Sequence, residues 1–210
     1  MKVTVIGAGN MGSAFVSQLV RAGHEVSVTA RDPAKAAAVA AAHSGARAVP
    51  ANGAAHGADI VVLATGYADA IAALQAADIQ PAQAVIDITN PLTPDYMGLT
   101  LGHSTSAAEE IAKSVPAAAV VKGFNTVFAQ VLAGGADFGT AGKVPVFLAS
   151  DDAAAKQRAA TLAASIGFDT VDAGSLKNAR YLEPLAGLNI YLGYGAGLGT
   201  AIAPTWLRKA

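Results

Sequence analysis

Cysteine is absent from these 210 residues, which rules out a disulfide, a thiolate nucleophile and any cysteine-ligated metal, and suits a reducing compartment such as the cytoplasm. Net charge is nearly absent too: Lys+Arg 14 against Asp+Glu 15 gives a formal charge of -1. With no basic footprint for nucleic acid or an anionic membrane surface, the expected partner is a small molecule. The histidines, His24, His43, His56 and His103, form no metal-ligand pair with one another or with an acid, so no metal site is read. No Gly-x-Ser-x-Gly elbow occurs, and Glu109-Glu110 reads as a solvated helix face rather than an acid–base pair. No proton-transfer machinery stands out, and no catalytic side chain is assigned. Low-complexity linkers and solenoid repeats are likewise missing.

Only 14% of the residues are charged. The mean hydropathy of +0.41 reflects alanine-rich helices and suggests buried subunit contact. The stretch from Pro184 to Trp206 is long and apolar enough to raise the question of a membrane span. Its five glycines and its Pro204 argue instead for a buried or interface helix. Met1–Ile6 reaches its glycines too soon to hold a signal peptide's apolar region, and is expected to be a strand.

The length favours one main core with a modest C-terminal appendage. Apolar runs of strand length alternate with alanine-rich helical stretches: Lys2–Ile6 then Asn10–Ala22, Val26–Thr29 then Pro33–His43, Ala46–Val49, Asp59–Ala64 then Ala68–Ala76, and Ala84–Ile88. Continuous apolar strands such as Ile60–Leu63 fit a parallel sheet covered on both faces. A second set follows a polar loop near Thr93–Ser106, with helices at Ser106–Ser114, from Asn125 and at Asp152–Ile166. Its strands, Val120–Gly123, Val144–Ala149 and Thr170–Asp172, are expected to extend the same sheet. The reading is an α/β chain with a doubly wound, mostly parallel Rossmann sheet over 1–175 and a C-terminal helical segment over 176–210, packed on the cofactor end of the sheet or against another subunit.

The chemistry begins at Gly7-Ala8-Gly9-Asn10-Met11-Gly12, between the first strand and the first helix. In such a turn the first glycine allows the bend, the second lets backbone approach a pyrophosphate and the third lets helix and strand pack closely. The free N–H groups of the helix start meet the phosphate charge. The end of the second strand distinguishes NAD from NADP, because an acid there bonds the ribose 2′-hydroxyl whereas a cation accepts a 2′-phosphate. Thr29 or Ala30 takes the acidic place and Arg31 follows, which favours NADP(H); Lys35 is placed to reach the same phosphate. Asp32, before Pro33, reads as a helix N-cap. Ala64-Thr65-Gly66 follows the fourth strand, where the adenosine and ribose side of a dinucleotide passes. Thr89-Asn90-Pro91 follows the fifth, where a polar turn meets the nicotinamide. Asn125 is placed to cap the next helix and face the same crevice.

Together, Val5–Gly12, Arg31, Val85–Leu92, Val121–Phe128 and Asp172–Leu176 make the chain resemble the deazaflavin (coenzyme F420)-dependent NADP reductases and the related nucleotide-binding domain of metalloreductases. The resemblance implies that Gly9, Asn10, Met11 and Gly12 hold pyrophosphate and that Arg31 holds the 2′-phosphate. It further implies that Thr65, Asn90, Pro91 and Asn125 border the nicotinamide and a second ring, with hydride passing directly between rings. The acceptor stays open among deazaflavin, flavin, quinone and small imine, and a homodimer through the apolar C-terminal segment is expected. Two other readings compete. One is an imine or keto reductase, for which Lys177 is the one candidate proton donor; the other is an NADP(H)-binding sensor without turnover.

Overall fold

The computed structural model describes residues 1–206 and residue 209. Six parallel strands form the main sheet in the order β3-β2-β1-β4-β5-β6: β1 (Lys2–Ile6), β2 (Glu25–Thr29), β3 (Ala46–Ala48), β4 (Ile60–Leu63), β5 (Gln83–Asp87) and β6 (Ala118–Lys122). The order reverses between β1 and β4, so the connections leaving these two strands run to opposite faces of the sheet and frame a crevice at the carboxyl ends, the place where open α/β sheets bind ligands. In register, Val5 sits between Val28 and Val62.

Successive strand side chains feed opposite faces, which is why the strands are apolar throughout rather than alternating. On one face Val5, Val62 and Ile86 pack with Phe15 and Leu19 of α1 (Asn10–Arg21). On the other Ile6, Val61, Leu63 and Val85 meet Leu74 of α3 (Tyr67–Ala77) and Ile111 of α4 (Ala107–Ser114). Burying each such large side chain contributes about 1.5–3 kcal/mol. Phe124 stands edge-on to Phe15 at 5.0 Å and to Phe168 at 5.6 Å, tying the first face together. Helix α2 (Pro33–Ala42) starts as expected, the Asp32 carboxylate accepting from Ala34 N–H.

Two features depart from expectation. The strands near 144–149 and 170–172 form a separate parallel pair, β7 (Pro145–Leu148) with β8 (Asp169–Asp172), flanking α6 (Ala153–Ser165). The pair meets the main sheet at the antiparallel Lys122–Ala149 bridge. Gly123 leaves room for Leu148 there, since a Cβ would lie 2.7 Å from Leu148 Cδ2. The C-terminal segment is helical only in part. After α5 (Ala129–Gly134) and the β7–β8 unit comes α7 (Ala179–Ile190), continued by a π-helical turn at Tyr191–Gly195. Residues 196–206 are irregular, since Gly197 and Gly199 take φ of +75° and +78° and Pro204 removes a donor. Residues 207, 208 and 210 of that expected helix lie outside the described residues. Among the described residues no helix is long and apolar enough to cross a membrane.

Candidate functional site

The sheet's carboxyl edge gathers the turns singled out in the sequence. Gly7 leaves β1 at φ +123° and donates to Thr29 O at 2.8 Å; a Cβ there would lie 2.2 Å from Ala64 O. A Cβ on Gly12 would lie 1.9 Å from Gly7 O, whereas one on Gly9 would find nothing within 4 Å. Gly7 and Gly12 are therefore closed by the protein, and Gly9 opens onto the crevice. Gly9 caps α1 without a side chain, so Asn10, Met11 and Gly12 begin a helix whose first N–H groups have no partner within the helix. Such a terminus attracts an anion.

Around this loop stand buried polar atoms without a partner: the hydroxyls of Thr29, Thr65 and Thr89 and Oδ1 of Asn125. Each stands at or just past the end of a strand. Buried polar groups left unpaired cost free energy, so this is where a polar ligand gains most by binding. Arg31 reaches from the end of β2 across to the first turn of α3, its Nη1 3.0 Å from Asp69 Oδ1, with side chains 88% and 57% exposed. Lys35 is exposed on the first turn of α2, and Ala64-Thr65-Gly66 leads into α3 with Gly66 as its cap.

Asn90 and Asn125 clasp each other across the ends of β5 and β6. Asn90 Nδ2 donates to Asn125 O at 2.9 Å, and Asn125 Nδ2 donates to Asn90 Oδ1 at 3.1 Å and to Leu182 O of α7 at 2.8 Å. Asn125 is thus not the cap expected for the next helix. Phe124, at φ +59°, turns the chain and α5 starts later, with Phe128 at its cap. Beside this clasp lies a cavity of about 530 Å³. One wall is Asn10, Met11, Asn90 and Asn125, and the other is formed by the Asp95–Met97 loop, Phe128 and the α7 residues Ala186, Asn189 and Ile190, with Tyr194 just beyond. Pro91 is buried behind the Asn90 turn. Lys177, in the turn before α7, is exposed and does not line this cavity.

A buried charge cluster supports the clasp from beneath, and sequence reasoning missed it. Lys122 Nζ lies 2.9 Å from both Asp87 Oδ2 and Glu183 Oε1 with no exposed surface, and it also donates to Thr89 O. Asp87 Oδ1 accepts from Thr89 N–H at 2.8 Å, and Glu183 accepts from Ala107 and Ala108 N–H at the start of α4. Burial pushes the Lys122 ammonium down, but the paired carboxylates outweigh it and hold its pKa above the ordinary lysine value. One signal was available: Asp87 and Lys122 end two apolar runs and stand opposite each other in register. Glu109, expected on a solvated face, is instead gripped by Arg180 of α7 through Nε at 2.8 Å and Nη2 at 2.7 Å. Hydrogen bonding from Arg180, more than the opposing burial, keeps the Glu109 carboxyl below its usual value.

Known proteins agree with this geometry. A family model described as NADP oxidoreductase, coenzyme F420-dependent, matches residues 2–91. A solved structure from Arthrobacter sp. FB24, provisionally described as an F420-dependent NADP-reductase, is 32% identical with a TM-score of 0.88, the match covering 99% of this chain and 100% of that one. The chain belongs to the coenzyme F420-dependent NADP oxidoreductase family. A hypothetical protein from Sinorhizobium meliloti is 34% identical with a TM-score of 0.75, over 84% of this chain and 86% of that chain. Metalloreductase STEAP3 from Rattus norvegicus is 28% identical over 184 residues, 88% of this chain. The chain spans only 36% of that relative's length. As in its F420-dependent NADP oxidoreductase relatives, the Rossmann sheet serves an NADP-dependent oxidoreductase. The open face of Gly9, the unpartnered helix start and the unpaired threonine hydroxyls fit NADP(H).

Proposed function

We propose that this protein transfers a hydride between NADP(H) and a deazaflavin or flavin-type ring, directly from ring to ring. The cavity carries this reading. One side is bounded by the helix start and the Asn90–Asn125 clasp; the other is walled by Phe128, Tyr96, Tyr194 and Met97, a largely apolar room suited to a second flat ring. Among the described residues no histidine or lysine lines it, and its one carboxylate, Asp95, is occupied by hydrogen bonds from Thr93 Oγ1 and Met97 N–H. NADPH supplies the hydride, and the protein's part is positioning, which carries most of the catalysis when two rings are held face to face.

In this reading Gly7 and Gly12 shape the loop, while Gly9 and the N–H groups of Asn10, Met11 and Gly12 hold pyrophosphate. Arg31 leaves Asp69 to take the 2′-phosphate, with Lys35 beside it. Ala64, Thr65 and Gly66 border the adenosine and ribose side. Thr89, Asn90, Pro91 and Asn125 orient the nicotinamide, the unpaired Asn125 Oδ1 accepting from its carboxamide. We further propose a homodimer through the outer face of α7, where Tyr181, Leu188 and Tyr191 are 74%, 55% and 51% exposed.

The test is NADPH oxidation against deazaflavin F420, FMN, FAD, a quinone and an imine, with NADPH deuterated at C4. Turnover with deazaflavin or flavin is expected, and in the deazaflavin product the label should appear on the carbon that replaces N5. Label lost to solvent removes direct transfer. Tight NADPH binding with no turnover on any acceptor makes the protein a sensor.

A further inference from the structure

The nicotinamide reading employs Asn90 and Asn125 and leaves one buried amide of the cavity without a task. Asn189 lines the cavity from α7 and is only 6% exposed, so the surface it keeps opens inward. Its Nδ2 donates to Thr126 O at 3.1 Å. A carbonyl is met by the nitrogen end of an amide and not by its oxygen, so this bond fixes which way the side chain faces. Oδ1 is turned away from Thr126 and accepts no hydrogen bond among the described residues. Asn90, by contrast, has both ends of its amide engaged with Asn125. Leu182, Ala186 and Asn189 share the buried face of α7, four and then three residues apart. Leu182 O accepts from Asn125, and Asn189 stands seven residues further on, about 10 Å along the helix axis. The free oxygen therefore lies beyond the clasp, on the wall it shares with Phe128, Ile190 and Tyr194.

A hydrogen-bond acceptor on the wall of a cavity loses its water when a flat ring fills the space, and it stays unpaired unless the ring brings a donor. We propose that Asn189 Oδ1 accepts a hydrogen bond from a ring N–H of the hydride acceptor, the imide N–H that flavins and deazaflavins carry between two carbonyls. This contact selects those rings over quinones, which are as flat but have no N–H to offer. The proposal rests on the reading of the cavity as the acceptor site. The Thr126 bond already holds the amide in place, so little side-chain freedom is lost when the ring binds.

5-Deazariboflavin and its N3-methyl derivative differ in that one N–H, so they isolate the contact. Their binding is read from ring fluorescence on protein saturated with NADP+. The N–H form is expected to bind about tenfold tighter than the methyl form. Because the methyl also adds bulk, Asn189→Ala and the volume-preserving Asn189→Leu separate the two causes. In both variants the N–H form should lose about tenfold in affinity and the methyl form nothing, while NADP+ affinity, which reports an intact fold, holds. The ratio of kcat/KM for 5-deazariboflavin to that for menadione, a quinone, should fall by a similar factor. Equal binding of the two rings, an N–H form that neither variant weakens, or no binding of either ring overturns the proposal. The two readings fail separately. N–H-dependent binding without NADPH oxidation removes hydride transfer and leaves the recognition, whereas hydride transfer to a ring whose binding ignores Asn189 does the reverse.

Discussion

A methyl group added at Gly9 and one added at Gly12 meet different surroundings. At Gly12 the new Cβ would press on Gly7 O at 1.9 Å, so Gly12→Ala must move the loop or the helix. Overpacking of this kind costs about 1–3 kcal/mol, so both the melting temperature and NADPH binding should fall. At Gly9 the protein offers open space and an ordinary extended backbone, φ -84° and ψ -167°. Gly9→Ala should therefore melt like the unmodified protein and still lose NADPH affinity by about tenfold or more, because the methyl occupies the path of the pyrophosphate. A thermal melt beside an NADPH titration separates the two effects, and a Gly9→Ala protein that binds normally removes the pyrophosphate role. Arg31 gives a second residue-level test. Its exposed pairing with Asp69 is worth little, so exchanging that partner for a phosphate is easy. Arg31→Ala should cost NADPH about 1.5–3 kcal/mol of binding and leave NADH nearly unchanged. Equal NADPH and NADH affinities in the unmodified protein would sink the assignment.

Among the elements, how much the sequence disclosed followed the range of the interaction. Strand and helix alternation is local, and the crevice turns were legible because each follows a strand end directly. Gly7 and Gly12 could be read as turn glycines without any distant partner in the sequence. Lys122, Asp87 and Glu183 were not legible, because their meaning lies in the β5–β6 register and in α7 folding back over both. Asn125 was misread as a cap for the same reason: its partners, Asn90 and Leu182, are far away in sequence. The buried cluster joins β5, β6, α4 and α7 beneath the clasp. Lys122→Met would strand two carboxylates without their cation, so unfolding should become easier by about 3–5 kcal/mol. The pH dependence has a definite sign. Lys122 has a raised pKa, so its stabilisation is full below the unfolded lysine value and is lost only as pH rises through the folded one. In Lys122→Met that alkaline loss is absent, so the gap between the denaturant midpoints of variant and unmodified protein should narrow as pH rises through the folded Lys122 value. A variant as stable as the parent at neutral pH would show that the cluster holds nothing together.

At the scale of the whole molecule, α7 has two faces with different tasks. Its inner face carries Leu182, Glu183, Ala186 and Asn189, and reaches the clasp through Leu182 O and through Asn189 Nδ2 donating to Thr126 O at 3.1 Å. Its outer face leaves Tyr181, Leu188 and Tyr191 at helical spacing and in solvent. Clustered large apolar groups on one exposed face mark an interaction surface more often than chance exposure does, and a second copy is the partner such a face fits in a twofold dimer. Sedimentation of the unmodified protein at micromolar concentration should give a dimer, and the double variant Tyr181→Glu, Leu188→Glu a folded monomer, since neither side chain belongs to the core. Because the same helix walls the cavity, losing the partner should weaken acceptor binding through the mobility of Ile190 and Tyr194 while sparing NADPH, whose proposed phosphate contacts lie in the β1–α1 loop and at the end of β2. A monomer in the unmodified protein removes the dimer; a monomeric variant with unchanged acceptor KM removes the coupling alone.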